Sequence, residues 1–252
     1  MKDHFTQQPE KPYDWDTYFH SDVKDALYAV FGPKCAYCEG KYAAFHAMIV
    51  EHFRPKGEVL EEDGMRLRPG YFWLAVDWDN LLASCIDCNS WRYHELDTGE
   101  RIRRGKANRF PLSDPTKRAR APGDDDEAYR LLIDPTRDDP AQFLCFTDRG
   151  IVRPRQTHDS ERQRRAEVSI DVFGLDRPEL VDRRRDLAIL VLDRIEEVRF
   201  YARLCEDYPN DIRFAAKKEQ ALAKLAELTH ESAEFSALAR DLVRERGFLP
   251  PP

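Results

Sequence analysis

No stretch of this chain is apolar enough to cross a bilayer: its longest purely aliphatic run, Leu187 to Leu192, falls far short of the roughly 20 residues that a spanning helix needs. The opening residues, Met1 to Lys11, are polar and lack the apolar core of a signal peptide. Internal repeats and long low-complexity tracts are missing as well. So is any excess of positive charge, since 40 basic residues stand against 47 acidic ones and the formal net charge is -7. Together these absences predict a cytoplasmic globular protein with no membrane partner. It would meet a polyanion through local basic patches and not through its overall field. They also predict weak nonspecific binding of nucleic acid by the isolated chain.

What is present is a chain of 252 residues, 42% apolar, enough for a packed core. It contains 6 cysteines, and four of them form two close pairs, Cys35/Cys38 and Cys85/Cys88. Each C-x-x-C brings two thiolates to one side of a tight turn, and two such turns supply the four sulfur ligands of a structural zinc. In a reducing compartment this spacing reads as metal binding rather than disulfide. A redox role is disfavoured, because no thioredoxin-like pattern surrounds the pairs. Cys145 and Cys205 lie alone in apolar surroundings and read as small buried side chains. A four-sulfur zinc has no open coordination position, so any hydrolytic chemistry needs a second, oxygen-seeking ion elsewhere. Between and beside the pairs, Glu51 offers a carboxylate and Asn89 an amide oxygen.

The periodicity predicts an amphipathic helix over residues 13 to 31, ended by Gly32-Pro33, then a zinc knuckle and a strand from Ala47 to Phe53. A second strand is expected over Tyr71 to Val76, and a helix from Asn89 to about Leu96. Arg101, Arg103, Arg104, Lys106 and Arg109 form a basic run, followed by Lys117, Arg118 and Arg120. Leu131-Leu-Ile-Asp134-Pro135 reads as a short apolar strand, and Phe143 to Val152 as a hairpin turning at Gly150. Beyond it come helices: one over Asp159 to Phe173 stopped by Gly174, a long one opened by a capping box Asp176-Arg-Pro-Glu179, and two more near Asp211 to Leu228 and Ser232 to Arg246. The expected organisation is a first domain over 1–120, a linker and hairpin over 121–157, and a helical subdomain over 158–252.

Cys35-x-x-Cys38, Glu51-His52-Phe-Arg-Pro55, Trp78-Asp-Asn80-Leu81 and Cys85-x-x-Cys88-Asn89 together resemble the HNH endonucleases of the His-Me finger class. That resemblance implies an α+β fold, a zinc-stapled ββα-metal core with a mainly helical region after it. It also implies roles: Glu51 and Asn89 on a catalytic magnesium or manganese ion, His52 as general base, and Asn80 holding the active-site loop and the histidine. A histidine titrating near neutrality suits proton abstraction from water. The chain departs from the usual pattern in having Glu51 before the histidine, Asn89 after the last cysteine, and Trp91 and Arg92 where a lysine is common.

Further short matches, Phe72-Trp-Leu-Ala75, Arg109-Phe-Pro-Leu112, Leu132-Ile-Asp-Pro135 and Phe173-Gly-Leu175, are similar to the HNH subunits of Septu-type and retron-associated antiphage systems. This implies a nuclease subunit that works with an ABC-type or SMC-like ATPase, its helical C-terminal region being a docking surface. The resemblance also implies a nucleic-acid substrate, DNA ahead of RNA. Arg54 and Lys56 are candidate phosphate contacts because they flank His52, and Arg103, Arg104 and Lys106 because they lie in the basic run. His46 and His94 read as structural. The competing reading is a zinc-stapled module that binds nucleic acid or protein without cutting.

Overall fold

The computed structural model describes residues 21–42, 46–96 and 98–248. The first part of the expected N-terminal helix lies outside them. Its remainder is α1, Ser21–Phe31, ended at Gly32 with φ +62°. The chain then enters the first cysteine turn, closed by a bridge between Lys34 and Lys41.

β1, Ile49–His52, pairs antiparallel with β4, Leu81–Ser84, in the register Ile49↔Ser84 to His52↔Leu81. The alternation that buries Leu82 also fixes the face on which His52 stands, since a one-residue slip would exchange the two sides. Ala36 N–H donates to Ala83 C=O at 2.8 Å, so the first cysteine turn is fastened to the strand that leads into the second.

The connection between β1 and β4 holds a tiny hairpin, β2 (Val59–Leu60) with β3 (Arg66–Leu67), and two 3-10 turns, Phe72–Leu74 and Trp78–Asn80. The expected strand over Tyr71 to Val76 is therefore a turn. Its cause is the Tyr71 ring, which is fully buried edge-on against Phe110 at 5.4 Å and fixes the chain locally. Gly70 completes the bend, because a Cβ there would meet the Pro55 carbonyl oxygen at 2.3 Å.

After β4, Cys85 caps α2, Ile86–Asn89, by accepting the Cys88 N–H. The helix expected from Asn89 to Leu96 does not form. Arg92–Glu95 is instead β5, paired in a hairpin with β6, Arg101–Arg104. Gly105, at φ +107°, brings the chain back so closely that a Cβ would lie 1.9 Å from the Ser90 carbonyl oxygen. This close return commits the segment to a hairpin, and the helix after the second cysteine pair is a single turn.

Residues 105–143 are irregular. Leu131 to Ile133 is buried as expected but joins no ladder: Leu131 N–H goes to the Pro111 carbonyl at 3.2 Å and Ile133 N–H to Ser169 Oγ at 2.9 Å. The next hairpin forms where predicted, from β7 (Leu144–Phe146) and β8 (Val152–Pro154). Cys145 and Cys205 are half-buried and not enclosed as the sequence suggests.

α3, Ser160–Phe173, is capped by Asp159 and stopped by left-handed Gly174. α4 runs over Pro178–Asp207 with Pro178 at its first turn and no side-chain cap. The predicted capping box is absent, because Asp176 accepts from the Arg104 guanidinium and Glu179 pairs with His94. α5 (Ile212–Thr229) and α6 (Ser236–Glu245) pack on α4. One apolar core runs from the cysteine turns through Phe110, Leu132 and Val172 to Leu242. Among the described residues no helix is long and apolar enough to cross a membrane.

Candidate active site and its zinc scaffold

The sulfurs of Cys35, Cys38, Cys85 and Cys88 are buried and lie within 4.8 Å of one another. A tetrahedral zinc with sulfur at 2.3 Å sets an edge of about 3.8 Å between ligands, and Cys38 and Cys85 stand 3.9 Å apart. The four side chains are therefore fit to hold zinc. Arg177, at the start of α4, turns its buried guanidinium onto them, 3.5 Å from Cys88 Sγ, 3.8 Å from Cys38 Sγ and 3.9 Å from Cys85 Sγ. A tetrathiolate zinc carries two net negative charges, and a guanidinium is the partner that offsets them in a dry site.

On the next layer lies a cleft of about 430 Å³ whose walls include Glu51, His52, Lys56, Asn89 and Trp91. His52 Nε2 is 2.9 Å from the Ala75 carbonyl oxygen. A carbonyl only accepts, so the proton is on Nε2 and the lone pair on Nδ1. Burial, helped by the Lys56 and Lys106 charges, lowers the pKa of His52 to about 4 and not the near-neutral value expected from the sequence, so the ring is neutral at cellular pH but a weaker base than a free imidazole. Asn80 clamps the loop that carries this arrangement. Its Oδ1 accepts Arg54 N–H at 2.7 Å, and its Nδ2 donates to the carbonyls of Arg54 at 3.0 Å and Leu74 at 3.1 Å. Leu74 immediately precedes the alanine that holds His52.

Glu51 is nearly enclosed, and burial raises its pKa against the pull of Lys106. The Lys106 ammonium is fully buried 2.6 Å from Glu51 Oε1 and donates a hydrogen bond to the His52 carbonyl at 2.9 Å. Lys106 is thus an internal counter-ion and not part of an exposed basic face. Glu51 and Asn89 both line the cleft, and a carboxylate and an amide are oxygen donors of the kind that hold a hard dication.

The other predicted phosphate contacts divide in the same way. Arg54 is buried over the Phe110 ring and pairs with Asp126 at 3.2 Å and Glu127 at 2.7 Å, so it fastens the loop and does not face the cleft. Arg104 pairs with Asp171 and Asp176, tying β6 to the helices. Lys56 lines the cleft and Arg103 is exposed. His94 is buried against Glu179.

Burial alone would raise the Glu127 carboxyl, but hydrogen bonds from Arg130 and Arg54 override it and hold its pKa at about 2. A depressed carboxylate stabilises the fold above its unfolded value and stops doing so as pH falls through the folded one. Glu127→Gln is thus expected to melt below the parent at neutral pH, the gap closing as pH drops from 4.5 to about 2. Melting curves of the pair across that range check it.

The sequence marks Lys106 as a phosphate contact and not as the partner of Glu51, and it does not mark Arg177 or the Ala75 carbonyl at all. The alternation of the basic run around Gly105 is the one local sign for Lys106. Arg177 was masked by the capping pattern on either side of it. No protein-family model matches the chain. It is 35% identical over 211 residues to the Septu protein PtuB of Bacillus mycoides (strain KBAB4), covering 81% of this chain and 65% of that protein. It is 24% identical over 170 residues to the retron Vc95 putative HNH endonuclease of Vibrio cholerae serotype O1 biovar El Tor, covering 67% and 65%. A match to Septu protein PtuA of the same Bacillus strain, 29% identical, takes in 61% of this chain but 19% of PtuA. The chain therefore spans somewhat less than two thirds, 65%, of the length of both the PtuB and the retron relative. The chain is thus similar along most of its length to a Septu protein and to a retron putative HNH endonuclease.

Proposed function

We propose that the chain is a metal-dependent HNH endonuclease, cutting DNA in preference to RNA as the effector of an antiphage system with an ATPase partner. The observation that carries this reading is the contact of His52 Nε2 with the Ala75 carbonyl oxygen at 2.9 Å. With Nε2–H committed to Ala75, its basic nitrogen is Nδ1, on a ring that lines the same cleft as Glu51 and Asn89. Glu51 and Asn89 would hold the magnesium or manganese ion, whose chemistry there is Lewis-acid stabilisation of charge on the phosphate and the leaving oxygen. His52 takes the proton of the attacking water at Nδ1, and the Ala75 carbonyl stabilises the imidazolium that results. Lys56 draws the phosphate into the cleft. The products carry a 5'-phosphate and a 3'-hydroxyl.

The test is to incubate the purified chain, alone and with its ATPase partner, with plasmid DNA and with RNA in magnesium or manganese. Nicked or linear products with 5'-phosphates are expected. No cleavage in either metal, even with the partner present, overturns the proposal in favour of a binding module.

Asn80 acts here as a positioning residue. Asn80→Ala leaves three backbone groups near the base without their partner, at a cost of about 1–3 kcal/mol in stability. Loss of alignment lowers kcat by up to about 100-fold with a smaller effect on KM. Steady-state kinetics beside a urea titration separate the two effects.

A further inference from the structure

The hairpin of β5 and β6 has two unlike faces. Side chains alternate along a strand, so Arg92, His94, Ile102 and Arg104 share one side, and Tyr93, Glu95, Arg101 and Arg103 the other. The first side is held by carboxylates: Arg92 by Asp87, His94 by Glu179, Arg104 by Asp171 and Asp176. On the second, Arg101 and Arg103 are exposed and make no ion pair among the described residues. Their guanidinium planes lie over aromatic rings instead. Arg103 is 4.1 Å from the Trp91 ring and 5.3 Å from Tyr93, and Arg101 is 4.7 Å from Tyr93. Tyr93 is 58% exposed, far more than an aromatic ring needs for packing alone. Trp91 continues the row into the wall of the His52 cleft, and its indole N–H is enclosed without a hydrogen-bond partner among the described residues.

We propose that this face is a stacking platform for unpaired nucleobases, delivering a single strand to the His52 cleft. The proposal rests on the nuclease reading for its direction, since the row of Tyr93 and Trp91 ends beside Asn89. Rings and guanidinium planes offer flat, sequence-tolerant surfaces to bases, and the outward donors of Arg101 and Arg103 offer forks to phosphates. Ring spacing selects the kind of strand. Trp91 and Tyr93 are two residues apart in extended chain, about 6.6 Å, roughly twice the 3.4 Å between stacked bases of a duplex. Successive bases reach both rings only when unstacked. Glu95, the acidic member of the face, stands at the turn end away from the cleft and limits the strip to its cleft-side half.

The test uses the full chain carrying His52→Ala, so that bound strands are not cut. Its probes are fluorescein-labelled oligo-dT, oligo-U and a DNA duplex of the same length, titrated by anisotropy at low salt. Binding of the single strands about tenfold tighter than the duplex is expected, with the oligo-dT and oligo-U arms separating DNA from RNA. Adding Tyr93→Ala weakens single-strand binding about tenfold and Tyr93→Phe restores it. Arg103→Ala lowers the salt slope by about one. Equal affinity for duplex and single strand, no effect of Tyr93→Ala, or no binding of any probe overturns the platform. Its failure is distinct from that of the nuclease reading. Single-strand preference in a protein that cuts nothing removes the nuclease and keeps the platform, whereas cleavage of single strands that Tyr93→Ala does not slow removes the platform alone.

Discussion

His52→Ala is expected to lower the cleavage rate by roughly a thousandfold, the middle of the range for removal of a positioned general base, while the protein keeps its zinc. Two features make this position a cleaner probe than its neighbour. Glu51 is the counter-ion of a fully buried lysine, so Glu51→Gln strands the Lys106 ammonium in the interior and confounds catalysis with folding. His52 is neutral at cellular pH and leaves no buried charge when it is removed. What it does leave is the Ala75 carbonyl without its donor, which costs about 1–3 kcal/mol and shows as a lower melting temperature. His52→Gln, which retains an amide donor and has no base, is expected to lose as much activity as the alanine variant. Full zinc content and undiminished cleavage in either variant would refute His52 as the base.

The sequence carried the cysteine pairs, the Glu51-His52 strand and the helices from α3 onward, because each is local: ligand spacing, alternation, or a capped apolar stripe. It carried less of what the cleft owes to long-range contacts. Nothing near Lys106 in sequence says that a lysine in a basic run is turned inward onto Glu51, since the cause is the Gly105 bend and a strand some fifty residues upstream. Arg54 reads as a phosphate ligand until Asp126 and Glu127 are folded against it. The missing helix after Cys88 has the same origin. Arg92 to Glu95 has no strong helical pattern, and its pairing with Arg101 to Arg104, with arginines over the aromatic rings, decides in favour of the strand. Local propensity was overruled where the partner lay far along the chain.

Stripping zinc from the protein is expected to lower its melting temperature by on the order of 20 °C or more, since structural zinc contributes an apparent 10–16 kcal/mol or so, comparable with the whole stability of a domain. The four cysteines close the cysteine-turn end of the β1–β4 ladder, and Arg177 carries their charge to the start of α4, so release of the metal would loosen the strands of the cleft and the helices together. A chelator titration followed by near-ultraviolet circular dichroism should show one concerted loss. Arg177→Met removes the guanidinium while leaving every sulfur in place, and zinc affinity should fall about 10- to 100-fold, as for other groups that support metal ligands. Competition with a chromophoric chelator reads that affinity without reference to cleavage. A melting temperature indifferent to chelation would mean that the four sulfurs are packed as thiols. In that case the Arg177 charge would stand unbalanced in the core, and Arg177→Met would stabilise the protein instead of weakening its hold on zinc.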